Sequence, residues 1–343
     1  MRIAIITDAW APQVNGVVTT LARAVDALRE QGDRVQLHTP LDHPTLALPT
    51  YKEIRLSLAP YRRLADRLDS FVPDAIHIAT EGPLGWAGRR YCRRRGVAFT
   101  SAYHTQFPHY VRLRIPLPEW LTYAWLRRFH GPARRTLVPT PSMRDELTAW
   151  GFTGLALWPR GVDTDLFHPG AADPLPVSRP MQLYAGRVAR EKNIEAFLAL
   201  DTPGTKVVVG DGPDREALAR DYPNAVFTGY RRGHKLAATM AAADVFVFPS
   251  RTDTFGLTML EAMACGVPVA AHPVTGPRDV VTDGVTGALD EDLGVAIGRA
   301  RGVRGADCRA VAEGYTWSHC AARLRSQLAP IGRVRTMPVA EPA

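Results

Sequence analysis

The sequence is poor in cysteine and lysine, and it contains no long apolar run. Its four cysteines form no C-x-x-C pair and have no histidines at metal-ligand spacing, which argues against zinc and disulfides. No stretch of about 20 apolar residues is present, so a membrane span is not expected. The apolar run at 3–6 is too short for the core of a signal peptide, and we therefore expect a cytosolic protein. The cysteines are Cys92, Cys265, Cys308 and Cys320.

Positive charge comes almost entirely from arginine and is concentrated in the first half of the chain. The net charge is +8: residues 1–170 hold 22 Lys and Arg against 15 Asp and Glu, or +7, and the remainder holds 20 against 19, or +1. Such asymmetry indicates a surface that faces phosphates of a nucleic acid, an anionic lipid or a ligand. A coding bias toward arginine would scatter these residues, but it explains a dense run less well. That run comprises Arg89, Arg90, Arg93, Arg94 and Arg95.

The same order of apolar patterns occurs twice along the chain. RIAIIT at 2–7 is typical of a strand, and a Pro- and Gly-containing loop, a helix ending at Gly32 and the strand RVQLHTP follow it. The order restarts with MQLYAG at 181–186, a helix from near Asn193 and the strands KVVVG, NAVFTGY and VFVFPS. Strands that alternate with helices in this way predict parallel sheets.

The segment between the two sets is rich in proline, which disfavours a helix or a central strand and indicates a linker. We therefore predict two doubly wound, Rossmann-like α/β domains at 1–168 and 169–343, which face each other across a cleft. A C-terminal helix near 315–328 is expected to cross back to the first domain. Ligands of such folds bind beyond the carboxyl ends of the strands. The linker prolines are Pro169, Pro174, Pro176 and Pro180.

The stretch FVFPSRTDTFGLTMLEAMACGVP at 246–268 combines a core-type apolar pattern with two acids. Asp253 lies on the loop after a buried strand, and Glu261 lies a little over one turn into the next helix, with Gly256 between them. The N-terminus of that helix favours a phosphate, because its backbone N–H groups and dipole point toward the ligand. Carboxylates beside a phosphate can accept hydrogen bonds from the hydroxyls of a sugar. Asp253 could instead cap the helix.

Six short motifs follow one another along most of the chain. Together they resemble the retaining glycosyltransferases of family 4, and among these the bacterial glycolipid mannosyl- and glucosyltransferases. D-x7-E in the last motif is similar to the E-x7-E signature of that family. The resemblance implies the GT-B fold, in which two Rossmann-like domains enclose a nucleotide-sugar site. The motifs are PQVNGV at 12–17, YHTQF at 103–107, GVDTDLF at 161–167, GRVAREKN at 186–193, VGDGP at 209–213 and SRTDTFGLTMLEAMACGVPV at 250–269.

The resemblance assigns donor-binding roles to residues of the second half. Glu261 would bind the nucleotide ribose, and Asp253, which stands where the family usually has Glu, would bind hydroxyls of the donor sugar. Gly256 lies within the same donor site. Arg187 and Lys192 match the diphosphate-binding pair of the family, and two cations there would stabilise the charge that grows on a departing diphosphate.

Two residues of the first half complete the predicted site. Gly16 would allow close backbone approach to the donor, and His104 would lie near the donor sugar, although a single histidine is more often an ordinary polar residue. The resemblance implies attack on the face that the leaving group occupies, so that the anomeric configuration is retained and the leaving phosphate oxygen takes the acceptor's proton. Catalysis would then rest on positioning and electrostatics, with His104, Asp253, Arg187 and Lys192 as the catalytic residues.

Two other patterns suggest ligands that we do not expect. Asp163 and Asp165 form a D-x-D pair, which binds metals in the other glycosyltransferase fold, but here they belong to the GVDTDLF motif. Gly210 and Gly212 follow a strand as in a dinucleotide-binding loop, but Arg215 replaces the third glycine of G-x-G-x-x-G. We therefore predict no metal and no cofactor, the nucleotide sugar being a substrate.

The acceptor is predicted from two segments at 51–71 and 107–135, which mix arginine with leucine and aromatic residues. We expect helices in both, and arginine beside aromatic residues suits an anionic membrane surface. Trp120, Trp125 and the arginine run are the candidate membrane and acceptor residues, although packing in the core would also explain many of the aromatics. The resemblance implies a lipid acceptor such as diacylglycerol or phosphatidylinositol, and hence a peripheral protein on the inner face of the cytoplasmic membrane.

Two other classes of function remain open at this point. A nucleotide-sugar epimerase shares the two-domain fold and would act on a donor without an acceptor. A basic nucleic-acid-binding protein would use the arginine-rich half, but no recognised nucleic-acid motif is present, so we expect no nucleic-acid partner. The sequence does not distinguish GDP-mannose from a UDP-hexose or a UDP-uronic acid as the donor, and it does not identify the acceptor.

Overall fold

The computed structural model of the protein describes residues 1–48, 51–112, 117–171 and 175–331. Pro174 of the predicted linker, residues 113–116 of the second acceptor segment and the predicted second domain beyond residue 331 lie outside the described residues. Two parallel sheets with helices packed against them confirm the predicted pair of doubly wound α/β domains. No helix within the described residues is long and apolar enough to cross a membrane.

The first sheet is parallel, in the strand order β2-β1-β5-β6-β7-β8, and a separate antiparallel hairpin joins β3 to β4. Its strands and the hairpin are β1 (Arg2–Ile6), β2 (Arg34–His38), β3 (Thr45–Leu48), β4 (Tyr51–Ser57), β5 (Ala75–Ile78), β6 (Thr100–Ala102), β7 (Arg135–Val138) and β8 (Leu155–Leu157). The helices are α1 (Gly16–Glu30), α2 (Tyr61–Phe71), α3 (Pro83–Arg95), α4 (Phe107–Arg112), α5 (Glu119–His130) and α6 (Pro141–Ala149), with a 3-10 helix at Pro40–Asp42.

Strand β1 shows why helices cover both faces of this sheet. Ile3 and Ile5 belong to one buried cluster with residues of α1, whereas Ala4 and Ile6 belong to another with residues of α2 and α3. Successive side chains of a strand point to opposite faces, so an uninterrupted apolar run buries both. The run RIAII therefore fixes β1 at the centre of the sheet.

The prediction of helix across 51–71 is wrong for its first part. Residues Tyr51–Ser57 form β4, which pairs antiparallel with β3 and places Leu56 opposite Leu46 and Arg55 opposite Ala47. Alternation of Ile54 and Leu56 with charged residues is the period-two pattern of a half-buried strand. The helix α2 begins only at Tyr61.

The second sheet is also parallel, in the order β11-β10-β9-β12-β13-β14. Its strands are β9 (Met181–Ala185), β10 (Thr205–Val209), β11 (Val226–Gly229), β12 (Val245–Phe248), β13 (Val269–Ala271) and β14 (Gly287–Leu289). The helices are α7 (Ile194–Leu198), α8 (Arg215–Asp221), α9 (His234–Ala241), α10 (Leu257–Ala264), α11 (Pro277–Val280), α12 (Leu293–Ala300), α13 (Gly305–Glu313) and α14 (Trp317–Gln327), with 3-10 helices at Pro169–Ala171 and Arg190–Lys192. All six strands run parallel, but the order in which the chain adds strands reverses between β9 and β12: β10 and β11 lie on one side of this pair, and β13 and β14 lie on the other. A crevice for a ligand opens at such a switch point.

The last helix, α14, packs on the first sheet rather than on the second. Its residues Cys320, Ala321 and Leu324 lie in the same buried cluster as Leu21 and Leu28 of α1. Polar contacts reinforce the packing: the Arg325 guanidinium lies 2.9 Å from a carboxylate oxygen of buried Asp33. The chain therefore passes between the two sheets once before β9 and again before α14.

Candidate active site

The predicted diphosphate residues and the predicted sugar-binding acid flank the switch point of the second sheet. Arg187 and Lys192 follow β9, and Asp253 follows β12, the strand that pairs with β9. Lys192 Nζ lies 2.6 Å from Asp253 Oδ1, and Arg187 lies 3.0 Å from Glu191 Oε1. Glu191 is buried, so it holds the Arg187 side chain at the mouth of the crevice. The structure thus brings Lys192 and Asp253 together as one ion pair, whereas Arg187 pairs with Glu191, which the sequence analysis did not single out.

Asp253 does not cap α10. The N-cap residue is Gly256, and no side chain bonds to the free N–H groups there. Asp253 instead accepts a hydrogen bond from Lys192 Nζ at one carboxylate oxygen, Oδ1. Its other oxygen, Oδ2, is buried with no hydrogen-bond partner among the described residues. A buried carboxylate oxygen without a donor is costly, so this position calls for a ligand that carries hydroxyl or N–H groups.

Gly256 is required by the backbone itself. Its φ is +88°, in the left-handed region, and a Cβ atom would lie 2.6 Å from Met259 Cε and 2.9 Å from Phe248 Cζ. Any side chain would therefore strain the turn that leads from β12 into α10. That local constraint accounts for the glycine, whether or not it also contacts the donor.

Glu261 lies on α10, partly buried, near the first domain. Burial raises the pKa of its carboxyl from 4.5 to about 7, and the positive charge of Arg23 on α1 acts in the opposite direction. A carboxyl with such a pKa exchanges its proton near neutral pH and is poised to accept hydrogen bonds once ionised.

His104 follows β6 at the carboxyl edge of the first sheet and is buried. Its Nδ1 lies 3.1 Å from Nη2 of Arg160, and its ring meets the Trp158 ring edge-on at 5.5 Å between centroids. Its Nε2 is buried with no hydrogen-bond partner among the described residues. Burial lowers the pKa of His104 well below its usual range, and the charge of Arg160 lowers it further.

Two contacts join the first domain to the second at this site. The Thr254 hydroxyl, beside Asp253, donates a 2.8 Å hydrogen bond to the backbone carbonyl of His104. A Cβ atom at Gly16 would lie 3.4 Å from Leu257 Cδ1, at the start of α10. That distance is an ordinary van der Waals contact, so the fold alone does not demand glycine at this position.

Sequence reasoning missed Arg160 and Thr254. Arg160 is buried. In the sequence it follows Trp158 shortly after the end of β8 and immediately precedes the glycine of the GVDTDLF motif. A single arginine at the carboxyl end of a buried strand is the signal that could have drawn attention to it. Thr254 lies inside a recognised motif, but its partner is 150 positions away, which no local pattern shows.

The D-x-D pair has a structural use. Asp163 accepts the backbone N–H of Leu166 at 3.0 Å and lies 3.3 Å from the Arg23 guanidinium, while Asp165 is exposed. Within the described ranges, no group of three or more His, Cys, Asp or Glu residues is arranged to hold a metal ion. Independence from metal nevertheless stays a prediction.

Gly210, from the VGDGP motif, permits close approach of two loops. A Cβ atom there would lie 1.8 Å from the backbone carbonyl oxygen of Gly186, and its φ is +134°. The loops after β9 and β10 therefore meet backbone to backbone beside the predicted diphosphate site.

The arginine run divides between a buried residue and an exposed face, which corrects part of the prediction. Arg89 is buried, and it donates hydrogen bonds to the backbone carbonyls of Phe129 at 3.0 Å and Arg128 at 2.7 Å. It stabilises the end of α5 and is not available to a membrane. The other four arginines are exposed, although Arg95 pairs with Asp69.

A groove of about 1010 Å³ lies between α2 and α3 and is lined by exposed arginines. The guanidinium groups of Arg90 and Arg94 lie over the Tyr61 ring at 4.8 and 5.2 Å. Trp86 also lines the groove, and its ring lies 5.8 Å from that of Trp125. The groove is therefore both cationic and aromatic.

Exposed aromatic side chains adjoin this groove. Trp120 is 59% exposed and Trp125 is 39% exposed, and Phe107, which lies 5.8 Å from Trp125 between ring centroids, is 42% exposed. The packing alternative holds for Tyr123, which is buried. Trp125 thus continues the aromatic lining of the arginine groove from Trp86, and Trp120 is a further exposed aromatic residue on the same helix.

Two Rossmann-like domains that meet at a cation-bearing switch point define a glycosyltransferase of the GT-B fold. Comparisons with known proteins agree. The profile described as Glycosyltransferase Family 4 matches residues 14–166, and that described as Glycosyl transferases group 1 matches residues 179–297. The chain belongs to glycosyltransferase family 4, and it is a glycosyltransferase.

Three similar proteins illustrate the relationship. The GDP-mannose-dependent alpha-mannosyltransferase of Mycobacterium tuberculosis is 34% identical, over 84% of this chain and 83% of its own. The alpha-monoglucosyldiacylglycerol synthase of Streptococcus pneumoniae is 28% identical, over 87% of this chain and 77% of its own. The structure of sucrose-phosphate synthase from Thermosynechococcus elongatus shares the fold, with a TM-score of 0.77 and 23% identity over 95% of this chain and 97% of that one. The M. tuberculosis relative is named as a mannosyltransferase, which favours group transfer over the epimerase alternative.

Proposed function

We propose that the enzyme transfers a hexose, with retention of configuration, from a nucleoside-diphosphate sugar to a hydroxyl group of a membrane lipid. One observation carries the donor part. His104 Nε2 and Asp253 Oδ2 are buried polar atoms without a partner among the described residues, and they lie in segments joined by the Thr254 to His104 hydrogen bond. A sugar hydroxyl both donates and accepts, so it can satisfy both kinds of atom.

The donor lies along the carboxyl edge of the second sheet in this proposal. Glu261 accepts hydrogen bonds from the ribose, and Asp253 accepts hydrogen bonds from hydroxyls of the transferred sugar. Arg187 and Lys192 contact the diphosphate, and Gly16 leaves room for it on the side of the first domain. GDP-mannose is the first donor to test, because the M. tuberculosis relative is named for it.

Lys192 links the proposed diphosphate and sugar sites. Its ammonium lies 2.6 Å from Asp253 Oδ1. A diphosphate carries more negative charge than a single carboxylate, so it draws Lys192 away and frees Asp253 Oδ1 for a sugar hydroxyl. Binding of the phosphate and recognition of the sugar are thereby linked.

Transfer itself rests on positioning and electrostatics. The acceptor hydroxyl attacks the anomeric carbon on the face that the diphosphate leaves, and the departing phosphate oxygen takes its proton. Arg187 and Lys192 stabilise the charge that grows on that oxygen. No metal is invoked, because two side-chain cations already lie at the switch point.

The lipid acceptor is proposed from the surface of the first domain. Exposed Arg90, Arg93 and Arg94 offer positive charge to anionic head groups, and Trp120 and Trp125 offer apolar area beside them. The pneumococcal relative is named for a diacylglycerol product, which supports a lipid hydroxyl as the acceptor. We place the enzyme at the inner face of the cytoplasmic membrane, where nucleotide sugars are made.

The donor is tested first, and the acceptor is tested with the donor so identified. Thermal shift with GDP-mannose, UDP-glucose and UDP-glucuronic acid identifies the donor, and the donor that stabilises the protein is then incubated with diacylglycerol or phosphatidylinositol in mixed vesicles. We expect a glycolipid product with the anomeric configuration of the donor, read by NMR. Conversion of the donor without any acceptor would instead show an epimerase, and an inverted product would contradict retention.

Membrane docking is tested with matched charge variants. Replacing Arg90, Arg93 and Arg94 with Gln should weaken binding to phosphatidylglycerol vesicles on the order of 100-fold at low salt, at about 1 kcal/mol per residue near the surface. A control variant replaces three exposed arginines of the second domain and should bind normally. Equal loss in both variants would show a non-specific charge effect. The control residues are Arg220, Arg301 and Arg304.

Two further measurements separate the apolar contribution to vesicle binding from the charge contribution and test the nucleic-acid alternative. Trp120→Ser should weaken vesicle binding by an amount that does not change with salt, because apolar burial is not screened. Duplex DNA at the same ionic strength should bind the wild-type protein no better than it binds the variant with Gln at positions 90, 93 and 94. Tight, salt-dependent DNA binding without donor binding would favour the nucleic-acid alternative.

A further inference from the structure

Arg160 is buried at the carboxyl end of β8 and makes three contacts that hold it in place. Nη1 donates to the Trp158 backbone carbonyl at 2.7 Å, the guanidinium lies over the Trp158 ring at 4.7 Å, and Nη2 lies 3.1 Å from His104 Nδ1. Within the described residues, no carboxylate lies at ion-pair distance from it. Burying a guanidinium without a counter-ion costs free energy because the group loses its hydration, and this indicates a functional role for Arg160.

The Arg160 contact determines the protonation of His104. A guanidinium only donates hydrogen bonds, so His104 Nδ1 must accept with its lone pair and carries no proton. The ring is neutral, because the contact is incompatible with protonation at Nδ1, and its one proton is therefore on Nε2. We infer that Arg160 is a positioning residue that fixes His104 as a neutral imidazole whose Nε2–H is available as a hydrogen-bond donor.

The surroundings of His104 act in the same direction. His77 on β5 and His130 at the end of α5 are the other titratable groups near its ring, and a positive charge on either would disfavour a second proton on His104. His77 is itself held neutral, because burial lowers its pKa to about 3. Thr254 contacts only the backbone carbonyl of His104 and does not compete for the ring.

The orientation of the ring is fixed independently of any ligand. Trp158 packs edge-on against His104 and against His77, at 5.5 and 5.6 Å between centroids, and its indole N–H donates to the Cys320 backbone carbonyl at 3.1 Å. Arg160 and Trp158 therefore form one rigid support behind the imidazole. The buried Nε2 atom is left without a partner among the described residues, which is the state expected of a donor that awaits an oxygen.

This inference rests on the proposed function only for the identity of the oxygen, a hydroxyl of the donor sugar. Within that function, a neutral ring donates a hydrogen bond without placing an imidazolium charge beside the positive charge that develops at the anomeric carbon. It also excludes His104 as a proton acceptor through Nε2. His104 then orients the sugar and takes no proton from the acceptor.

The test is a direct observation of the wild-type ring. In protein labelled with ¹⁵N-histidine, the His104 signals are assigned by their loss in His104→Gln, and their shifts report which nitrogen holds the proton. We expect protonated Nε2, unprotonated Nδ1 and no titration between pH 8 and pH 5.5. A proton on Nδ1, or titration near pH 6.5, would overturn the inference.

Variants of Arg160 then test the cause. Arg160→Met keeps the apolar stem but removes both donor and charge, so the buried His104 ring should stay neutral but show mixed tautomers. Arg160→Lys should restore the single tautomer with its proton on Nε2. Arg89→Met is the matched control, since it also removes a buried arginine that donates to backbone carbonyls but does not contact a histidine. Unchanged His104 signals in Arg160→Met would refute the role, and if that variant does not fold, the wild-type measurement decides alone.

Steady-state kinetics test whether the tautomer of His104 affects the rate of sugar transfer. With donor at saturation at pH 7.5, kcat of Arg160→Met should lie at least twofold below the wild-type value, because part of the ring population no longer presents an Nε2–H, while kcat of Arg89→Met should equal the wild-type value. Saturation matters, because burial raises the pKa of Glu261 to about 7 and the proposed function assigns Glu261 to donor binding. Wild-type kcat should stay level between pH 7.5 and pH 5.5, and an acid loss there would contradict a neutral His104. Absence of any sugar transfer, with the tautomer as inferred, would remove the proposed function but not the positioning by Arg160.

Discussion

Glu261 offers the sharpest separation of ligand binding from stability. Its carboxyl pKa is raised from 4.5 to about 7 by burial, opposed by the charge of Arg23. The folded protein therefore holds this proton more tightly than the unfolded chain does, and stability is lost as pH rises from about 4.5 to 7. At about 1.4 kcal/mol per pH unit over this range, ionised Glu261 costs the folded state about 3–4 kcal/mol above pH 7.

Glu261→Gln removes this cost while keeping the shape of the side chain. We expect the variant to be more stable than the wild type at pH 8.5 by about 3 kcal/mol, and to differ by less than about 1 kcal/mol at pH 5, where both side chains are neutral in the folded protein. Urea denaturation at the two pH values measures the difference. Glu216→Gln, on an exposed carboxylate of α8, is the control and should show no such pH dependence.

The same substitution should weaken donor binding, because a carboxylate accepts stronger hydrogen bonds from ribose hydroxyls than an amide does. In the wild type, donor affinity should fall toward tenfold per pH unit below pH 7, where Glu261 is protonated in the free enzyme. Calorimetric titration of GDP-mannose across this range tests both points. Unchanged affinity in Glu261→Gln, or a variant no more stable at pH 8.5, would refute the reasoning.

Three further predictions follow from the contacts described. Gly16→Ala should keep the Tm of the wild type, since the added methyl group only touches Leu257 at 3.4 Å. Its Kd for the donor should rise about tenfold or more, because the backbone at Gly16 approaches the diphosphate in the proposed site. Calorimetric titration measures this Kd, and an unchanged Kd would contradict that placement. Transfer should survive EDTA, and complete dependence on added Mg²⁺ or Mn²⁺ in the product assay would contradict side-chain cations as the diphosphate ligands. Arg89→Gln should lower the free energy of unfolding by about 1–3 kcal/mol, since two backbone carbonyls of α5 lose their donor, whereas exposed Arg94→Gln should change it by less than about 0.5 kcal/mol; equal values in urea denaturation would be inconsistent with that difference.

The parts of the fold that sequence predicts well are those with a continuous apolar run. The runs RIAII and VFVF are central strands in the structure, and the loop after VFVF carries Asp253 to the switch point as expected. The reason is that burial on both faces leaves a strand few alternatives, and parallel sheets place the ends of neighbouring strands together.

Other features depend on which face of an element is buried, which a list of residue types does not show. Five arginines look equivalent along 89–95, yet Arg89 lies on the same face of α3 as Gly85 and Cys92, at helical spacing, and is buried. That spacing was present in the sequence and could have separated Arg89 from the others. The contact of Arg160 with His104 joins residues 56 positions apart, and no local pattern encodes it.

The return of α14 to the first domain has a consequence for how the chain is made. Residues Leu21 and Leu28 of α1 complete their packing only with Leu324, near the end of the described chain. On the ribosome, the domain begun first is therefore finished last. At about 5–20 residues per second, the interval between residues 168 and 324 lasts roughly 10–30 s, during which an apolar stripe of α1 stays open to chaperones or to other nascent chains. How soon that stripe is covered depends on the second domain, whose folding must deliver α14 to a partner synthesised long before it.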